Sequence, residues 1–316
     1  MEVIAIDLGG TKLASAIFNE AGESLFKQII PLENRQGAEV SALIQTQILE
    51  LLKQASIHSY SIYGVGVAVP GIYNSATGNV WAPNIAGWDN YPLLAEIRSM
   101  RQLSSIGVKI ESDRSCYILG EVWKGCAKDS RNAIFMAIGT GIGAGIMIDG
   151  KILHGSQGIA GAVGWFGLDR PFFEKYKSCG CFEYYASGDG VARTARELLQ
   201  TEGDYQGILK EVDPDSLSSY DIFAAFERGD PVARKTFKLC VEFWGMAAAN
   251  LISVFNPEIV IFGGGLFGPA RKFLDQIKME AGKWAQPISY KQVTLENSRL
   301  GGDAGLVGAG RLAFNE

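Results

Sequence analysis

The chain holds 316 residues, 47% of them hydrophobic and 20% charged, with a formal net charge of −5. Its length fits two globular domains of the usual ~150 residues, and the acidic balance, with no run of five or six basic residues, makes nucleic acid and anionic membrane poor partners. It has neither an apolar run of the ~20 residues that cross a bilayer nor a basic-then-apolar leader at Met1, so a cytoplasmic protein is expected.

In chain order, Val3 to Ile6 is a β-rich run that reaches Asp7, turns through Gly9-Gly10-Thr11-Lys12 and resumes to Phe18. From Glu39 to Ala55, the residues Val40, Leu43, Ile44, Ile48, Leu51 and Leu52 recur at helical spacing and predict a helix packed on the first sheet. Tyr63 to Val69 reads as a strand ending at Pro70-Gly71, and Val108 to Glu111 as another with Ser112-Asp113 at its C-terminal end; Arg114 to Lys124 then turns helical. Ala133 to Ile148 repeats the opening plan of strand, Gly-rich turn and strand, and Asp149-Gly150 then signals a type I′ hairpin. Ser187 to Gln200 reads as helix, and Asp230-Pro231, a capping residue followed by proline, opens a helix to about Phe255. Glu258 to Phe262 is a strand leading into Gly263-Gly264-Gly265, Pro269 to about Gly282 a helix, and Ala304 to Phe314 the last helix. Strands alternating with helices give the α/β class.

The Gly-rich turns carry the chemistry. Glycine lets backbone N–H groups approach an oxyanion without a Cβ in the way, so Gly9-Gly10-Thr11-Lys12 suits a phosphate, with Asp7 as a partner for metal-bound water and Thr11 as a hydroxyl donor. Gly139-Thr140-Gly141-Ile142-Gly143-Ala144 has the spacing of a dinucleotide fingerprint, but a strand follows where that fingerprint requires a helix. Neither turn has the Walker spacing, which excludes a P-loop. What remains is a pair of β-turn-β clamps able to grip a polyphosphate, with Gly263-Gly264-Gly265 placed to lie against an adenine or ribose.

The segments IAIDLGGTK, VAVPGIYNSATGNVWAPNIAGW, AIGTGIGAGIMIDGKILHG, GIAGAVGW, CGCFEYYASG, VIFGGG and GDAGLVGAGRLA, in this order over nearly the whole chain, resemble the ROK family of repressors, open reading frames and sugar kinases. The resemblance implies two ribonuclease-H-like lobes around a central cleft, the actin-like ATPase arrangement. The N-terminal lobe would comprise residues 1–113 plus 303–316 and the C-terminal lobe residues 114–302. It implies ATP and Mg2+ as cofactors, a hexose or hexose-derivative substrate and a homodimer. Asp7, Gly9, Gly10, Thr11 and Lys12 would lie near the transferred phosphate, Gly139, Thr140 and Gly141 would hold the nucleotide phosphates from the other lobe, and Gly263, Gly264 and Gly265 would border adenosine. Asn84 and Gly71 would belong to the sugar pocket, together with Ser112. ESDRSCYILGE is similar to the family's ENDANAAALGE, which makes Asp113 the general base.

The chain departs from the family where sugar is read. Ala162 stands where the family has a sugar-binding glutamate, and Trp165 where it has a histidine that contacts sugar and usually ligates zinc; the indole would either fill core volume or wall the pocket for a substituted sugar. The cysteine cluster is shortened to Cys179-Gly180-Cys181, and two thiols do not close a tetrahedral site, so zinc is not expected. Cys116, Cys126 and Cys240 sit in apolar-periodic segments and are expected to be buried thiols. Two other functions compete with the kinase: a sugar- or nucleotide-binding protein with weak or no transfer activity, and a repressor. The first strand starts at Val3 and leaves no room for an N-terminal helix-turn-helix, which disfavours the repressor.

Overall fold

Both Gly-rich turns form between paired strands, and each founds a five-stranded sheet. The computed structural model describes residues 1–201 and 203–314. In the first sheet, β1 (Glu2–Leu8), β2 (Lys12–Asn19) and β3 (Ser24–Pro31) form an antiparallel meander. Helix α1 (Ala38–Ile57) leads to β4 (Ile62–Val69), parallel to β1. A small hairpin of β5 (Ile72–Asn74) and β6 (Asn79–Trp81), then α2 (Leu93–Arg98), precede β7 (Gly107–Ser112), parallel to β4. The sheet order is β3-β2-β1-β4-β7.

After α3 (Asp113–Lys124) the plan repeats. Strands β8 (Ala133–Ile138), β9 (Ile142–Ile148) and β10 (Lys151–Ile152) form the second meander. Asp149 and Gly150 between the last two both have positive φ, 52° and 79°, as a type I′ turn requires. Helices α4 (Cys181–Ala186), α5 (Gly188–Thr201), α6 (Ser219–Glu227) and α7 (Pro231–Phe255) follow, then β11 (Ile259–Gly263), α8 (Leu274–Trp284), α9 (Pro287–Gln292), β12 (Thr294–Asn297) and α10 (Ala304–Phe314). The second sheet runs β10-β9-β8-β11-β12, with β11 parallel to both β8 and β12, which is the arrangement of the first sheet.

Local chemistry sets the limits of α7. The Asp230 carboxylate accepts the N–H groups of Val232 and Ala233, proline occupies the first helical position, and Asn256 ends the helix in the left-handed region. The helix is long and apolar enough to cross a bilayer, yet its apolar residues are mostly buried against the second sheet and its covering helices. Trp244 is fully buried there and donates its indole N–H to the Ala186 carbonyl at 2.9 Å. Truncating such a side chain costs about 3–5 kcal/mol. A separate core lies under α1 and α2 on the first sheet.

Two helices join the sheets. α10 packs on β1 and β4 of the first sheet and against α3, which also contacts β8 and β9 of the second. The crossing is close because α10 is rich in small residues: a Cβ on Gly308 would stand 1.8 Å from the Cys116 carbonyl oxygen. Cys116 and Cys240 are buried as expected, whereas Cys126 is only half-buried, in the turn after α3, where its thiol donates to the buried Glu121 carboxylate at 3.3 Å.

Candidate active site

Parallel pairing aligns the carboxyl ends of the strands. In the first sheet, Asp7 is opposite Ala68 and Val69 opposite Ser112, so Asp7, Pro70-Gly71 and Asp113 emerge at one edge. In the second, Gly263 is opposite Ala137 and Phe262 opposite Asn297, which brings Gly139, Gly263 to Gly265 and Asn297 to one edge. The two edges face each other: a cavity of about 480 Å³ is lined by Asp7, Gly9 and Lys12 from the first and by Gly263 to Gly265 and Asn297 from the second. Ligands of open α/β sheets sit at such strand ends.

The first turn is tight, with the Gly9 N–H donating to the Lys12 carbonyl at 2.9 Å and Thr11 and Lys12 exposed. Asn84 comes to it from the loop after β6; a Cβ on Gly10 would lie 3.5 Å from its Nδ2. Asp7 lies against the start of α10, where a Cβ on Gly305 would be 2.6 Å from the carboxylate and would displace it. Burial pushes the Asp7 carboxyl up to about 7, the neighbouring Asp113 adds to the rise and Lys12 opposes it.

Asp113 is the first residue of α3. The cap itself is Ser112, whose hydroxyl accepts the Ser115 N–H, so the Asp113 carboxylate is not committed to capping. It accepts the Arg114 N–H at 2.7 Å and the Tyr117 hydroxyl at 3.2 Å. Burial raises its pKa, opposed chiefly by the Arg114 guanidinium. Gly71, at φ 86°, makes the turn beside it, and its carbonyl lies 3.4 Å from Arg114 Nη2.

The second turn is held from behind. The Gly139 carbonyl accepts the Gly188 N–H at 2.7 Å, and the Glu183 carboxylate accepts the Ile142 N–H at 2.6 Å. Gly139, Thr140 and Gly265 also line a second cavity of about 430 Å³ with Arg193, Arg196 and Tyr220. The two cavities share Gly265 as a lining residue. Asn297 lines the first cavity and donates its Nδ2 to the Arg271 carbonyl at 3.3 Å, while its Oδ1 is buried with no hydrogen-bond partner among the described residues. No cluster of three His, Cys, Asp or Glu side chains among the described residues is spaced to hold a metal by itself. The exposed end of the cleft beside the Asp7 carboxylate fits a Mg2+ that takes one carboxylate and has its other positions filled by phosphate or water oxygens.

Trp165 is 58% exposed and so is not a core residue. It lines a recess of about 270 Å³ with Phe172, Tyr176 and Lys177, and none of Gly71, Asn84, Ser112 and Asp113 lines that recess. Ala162 is half-buried at the start of the same short 3-10 turn. Cys181 opens α4 and is buried, while Cys179 is half-buried just before it. Asn297, Arg193, Arg196 and Tyr220 went unnoticed in the sequence, since no Gly-rich turn or strand-end acid marks them. Glu183 is embedded in CGCFEYYASG, where its carboxylate three residues before Ala186 was the available signal.

A ROK family model matches residues 3–316. The chain is 32% identical to a glucokinase of Halalkalibacterium halodurans, covering 98% of this chain and 94% of that protein. It is 28% identical to an N-acetyl-D-glucosamine kinase of Haemophilus influenzae (83% of each) and 28% identical to a xylose repressor of Caldicellulosiruptor bescii (94% of this chain, 74% of that protein). Among solved structures, a ROK family glucokinase from Streptomyces griseus in complex with glucose and AMPPNP superposes with a TM-score of 0.77 at 27% identity over 99% of both chains. A ROK hexokinase from Thermus thermophilus gives 0.80 at 26% identity, over 99% of this chain and 98% of that one. The duplicated sheets are thus the two lobes of the actin-like ATPase fold. With its glycine turns, strand-end acids and full-length match, the chain belongs to the ROK family.

Proposed function

We propose that this protein phosphorylates a hydroxyl of a hexose or hexose derivative at the expense of ATP, with Asp113 as the general base. The observation that carries this reading is the convergence of two acids, Asp7 and Asp113, with Lys12 and the glycine turns at the facing strand edges. The Asp113 carboxylate accepts the proton of the attacking hydroxyl, and its raised pKa makes it a better acceptor than an exposed aspartate. The Gly9 and Gly139 N–H groups close their own turns, and the backbone N–H groups of Gly10 and Thr11 and of Thr140 and Gly141 hold the phosphates, with Lys12 offsetting their charge. Asp7 would hold a Mg2+ bound together with the nucleotide, and the ion would supply further neutralisation of the phosphate oxygens. Gly263 to Gly265 border the nucleoside, with Arg193, Arg196 and Tyr220 around its open end.

Gly71, Asn84 and Ser112 line the sugar side with Asp113, and Ala162 and Trp165, at the positions where the family has a glutamate and a histidine, supply no carboxylate or imidazole to it. The lobes divide at residues 1–113 plus 303–316 and 114–302, and a cytoplasmic homodimer belongs to the same proposal. Glucokinase and N-acetylglucosamine kinase relatives support phosphorylation of a sugar. One observation favours a second reading, sugar or nucleotide binding with weak or no transfer: Ala162 and Trp165 offer no carboxylate or imidazole to a sugar. ADP release measured with ATP against glucose, fructose, N-acetylglucosamine and N-acetylmannosamine separates the two. Turnover that depends on one of these sugars supports the kinase; sugar binding without turnover supports the second reading.

A further inference from the structure

A buried carboxylate of one lobe is bonded to an imidazole of the other beside Asp113. Glu111 lies near the end of β7, two residues before Asp113, and its side chain is 10% exposed. Its Oε1 accepts the Ser112 N–H at 2.8 Å, and its Oε2 lies 2.6 Å from His154 Nε2. His154 follows β10 of the second sheet, so this pair spans from one lobe to the other. The segment after it folds back, with the Ala160 N–H donating to the His154 carbonyl, and passes the first lobe at Gly158, where a Cβ would be 3.0 Å from the Tyr73 carbonyl oxygen.

Only one side of the imidazole is used. Nε2 is engaged by Glu111, Nδ1 has no hydrogen-bond partner among the described residues, and the side chain is 50% exposed. Donating Nε2–H to the Glu111 carboxylate also raises the His154 pKa, which favours the doubly protonated ring, with Nδ1 as a second donor. A buried carboxylate that fixes a half-exposed imidazole and leaves its second nitrogen unpaired presents an oriented hydrogen-bonding group. The other histidine, His58, lies at the end of α1 and stacks on Tyr60.

We propose that His154, oriented by Glu111, is a sugar-contacting residue whose Nδ1 donates to a hydroxyl or acyl oxygen of the substrate. The proposal rests on the sugar-kinase reading and deepens it: His154 comes from the segment that leads into Ala162, and it brings to the strand end of Asp113 a polar group that Ala162 and Trp165 do not offer.

Calorimetric titration of the full chain with glucose, fructose, N-acetylglucosamine and N-acetylmannosamine, and separately with AMPPNP, tests it in the wild type and in His154→Leu, His154→Gln and Glu111→Gln. For the sugar that the wild type binds, His154→Leu should weaken affinity about tenfold or more, the usual effect of a lost buried hydrogen bond. His154→Gln, which keeps a donor, should lose less, and AMPPNP affinity should stay within about twofold. Combining His154→Leu with Glu111→Gln should cost little beyond His154→Leu alone, because the two residues act as one unit. If His154→Leu does not fold, His154→Gln decides by the same comparison of sugar with nucleotide. Unchanged sugar affinity, or equal weakening of sugar and nucleotide as expected of a mere tie between lobes, overturns the proposal and leaves the kinase reading standing. A wild-type chain that binds none of the four sugars overturns both.

Discussion

Asp7 is costly to the unliganded protein, and removing its charge should stabilise the fold. Its carboxyl rises from the usual 3.8 to about 7, first through burial and then through Asp113. An acid whose folded pKa exceeds its unfolded one costs nothing while protonated in both states, begins to cost as pH rises past the unfolded value, and reaches its full cost above the folded value. A rise of roughly three units at about 1.4 kcal/mol each amounts to ~4 kcal/mol. Water entering the open cleft screens part of this, leaving about 1–2 kcal/mol, or ~2–6 °C in melting temperature for a protein of this size. Asp7→Asn without nucleotide should therefore melt close to the wild type at pH 4.5 and several degrees above it at pH 8, while losing turnover. Thermal melts across that pH range, followed by fluorescence, measure the gap. An offset that does not grow with pH, or a variant that is less stable at pH 8, would refute the reasoning.

Other substitutions probe the same cleft. Asp113→Asn should lower turnover by the ~10²–10⁴-fold typical of a lost general base while ATP affinity stays nearly intact; normal sugar-dependent turnover in this variant rejects the role. Gly305→Ala places a methyl 2.6 Å from the Asp7 carboxylate, so it should lower both stability and turnover, and a variant that melts and turns over like the wild type contradicts that packing. Elemental analysis of tag-free protein should find no stoichiometric zinc, since Trp165 cannot coordinate and Cys179 and Cys181 are two thiols; one tightly held zinc per chain contradicts this. If the exposed indole of Trp165 favours substituted sugars, unmodified glucose should be a poor substrate, and Ala162→Glu with Trp165→His should improve it. Efficient glucose phosphorylation by the unmodified chain would count against that role.

The fold was legible wherever local chemistry repeats. Asp7 to Phe18 and Ile138 to Ile148 announce hairpins through glycines set between apolar runs, and Asp230-Pro231 announces α7 through its cap. β3 was not legible, because Ser24 to Pro31 is an edge strand with Lys27 and Gln28 in its middle, and alternation at an exposed edge is weak. The helix expected from Pro269 begins as a 3-10 turn and becomes α8 only at Leu274, because Pro269 and the glycines before it favour the tighter turn. At the site, strand-end acids and glycines stand out because their chemistry is local. The Glu111–His154 pair, 43 residues apart, and Asn297 in the cavity of Asp7 come together only through parallel pairing and the facing of two sheets, which no local pattern encodes.

The proposed reaction transfers a phosphoryl group from ATP to a sugar hydroxyl at Asp113. Phosphorus NMR of the full chain with ATP, Mg2+ and each sugar of the panel should show a sugar phosphate growing as ADP appears with one of them, and Asp113→Asn should slow that signal at least about a hundredfold. ADP formed at the same rate without sugar, or a sugar phosphate that appears as fast with Asp113→Asn, would rule out Asp113-dependent transfer to a sugar.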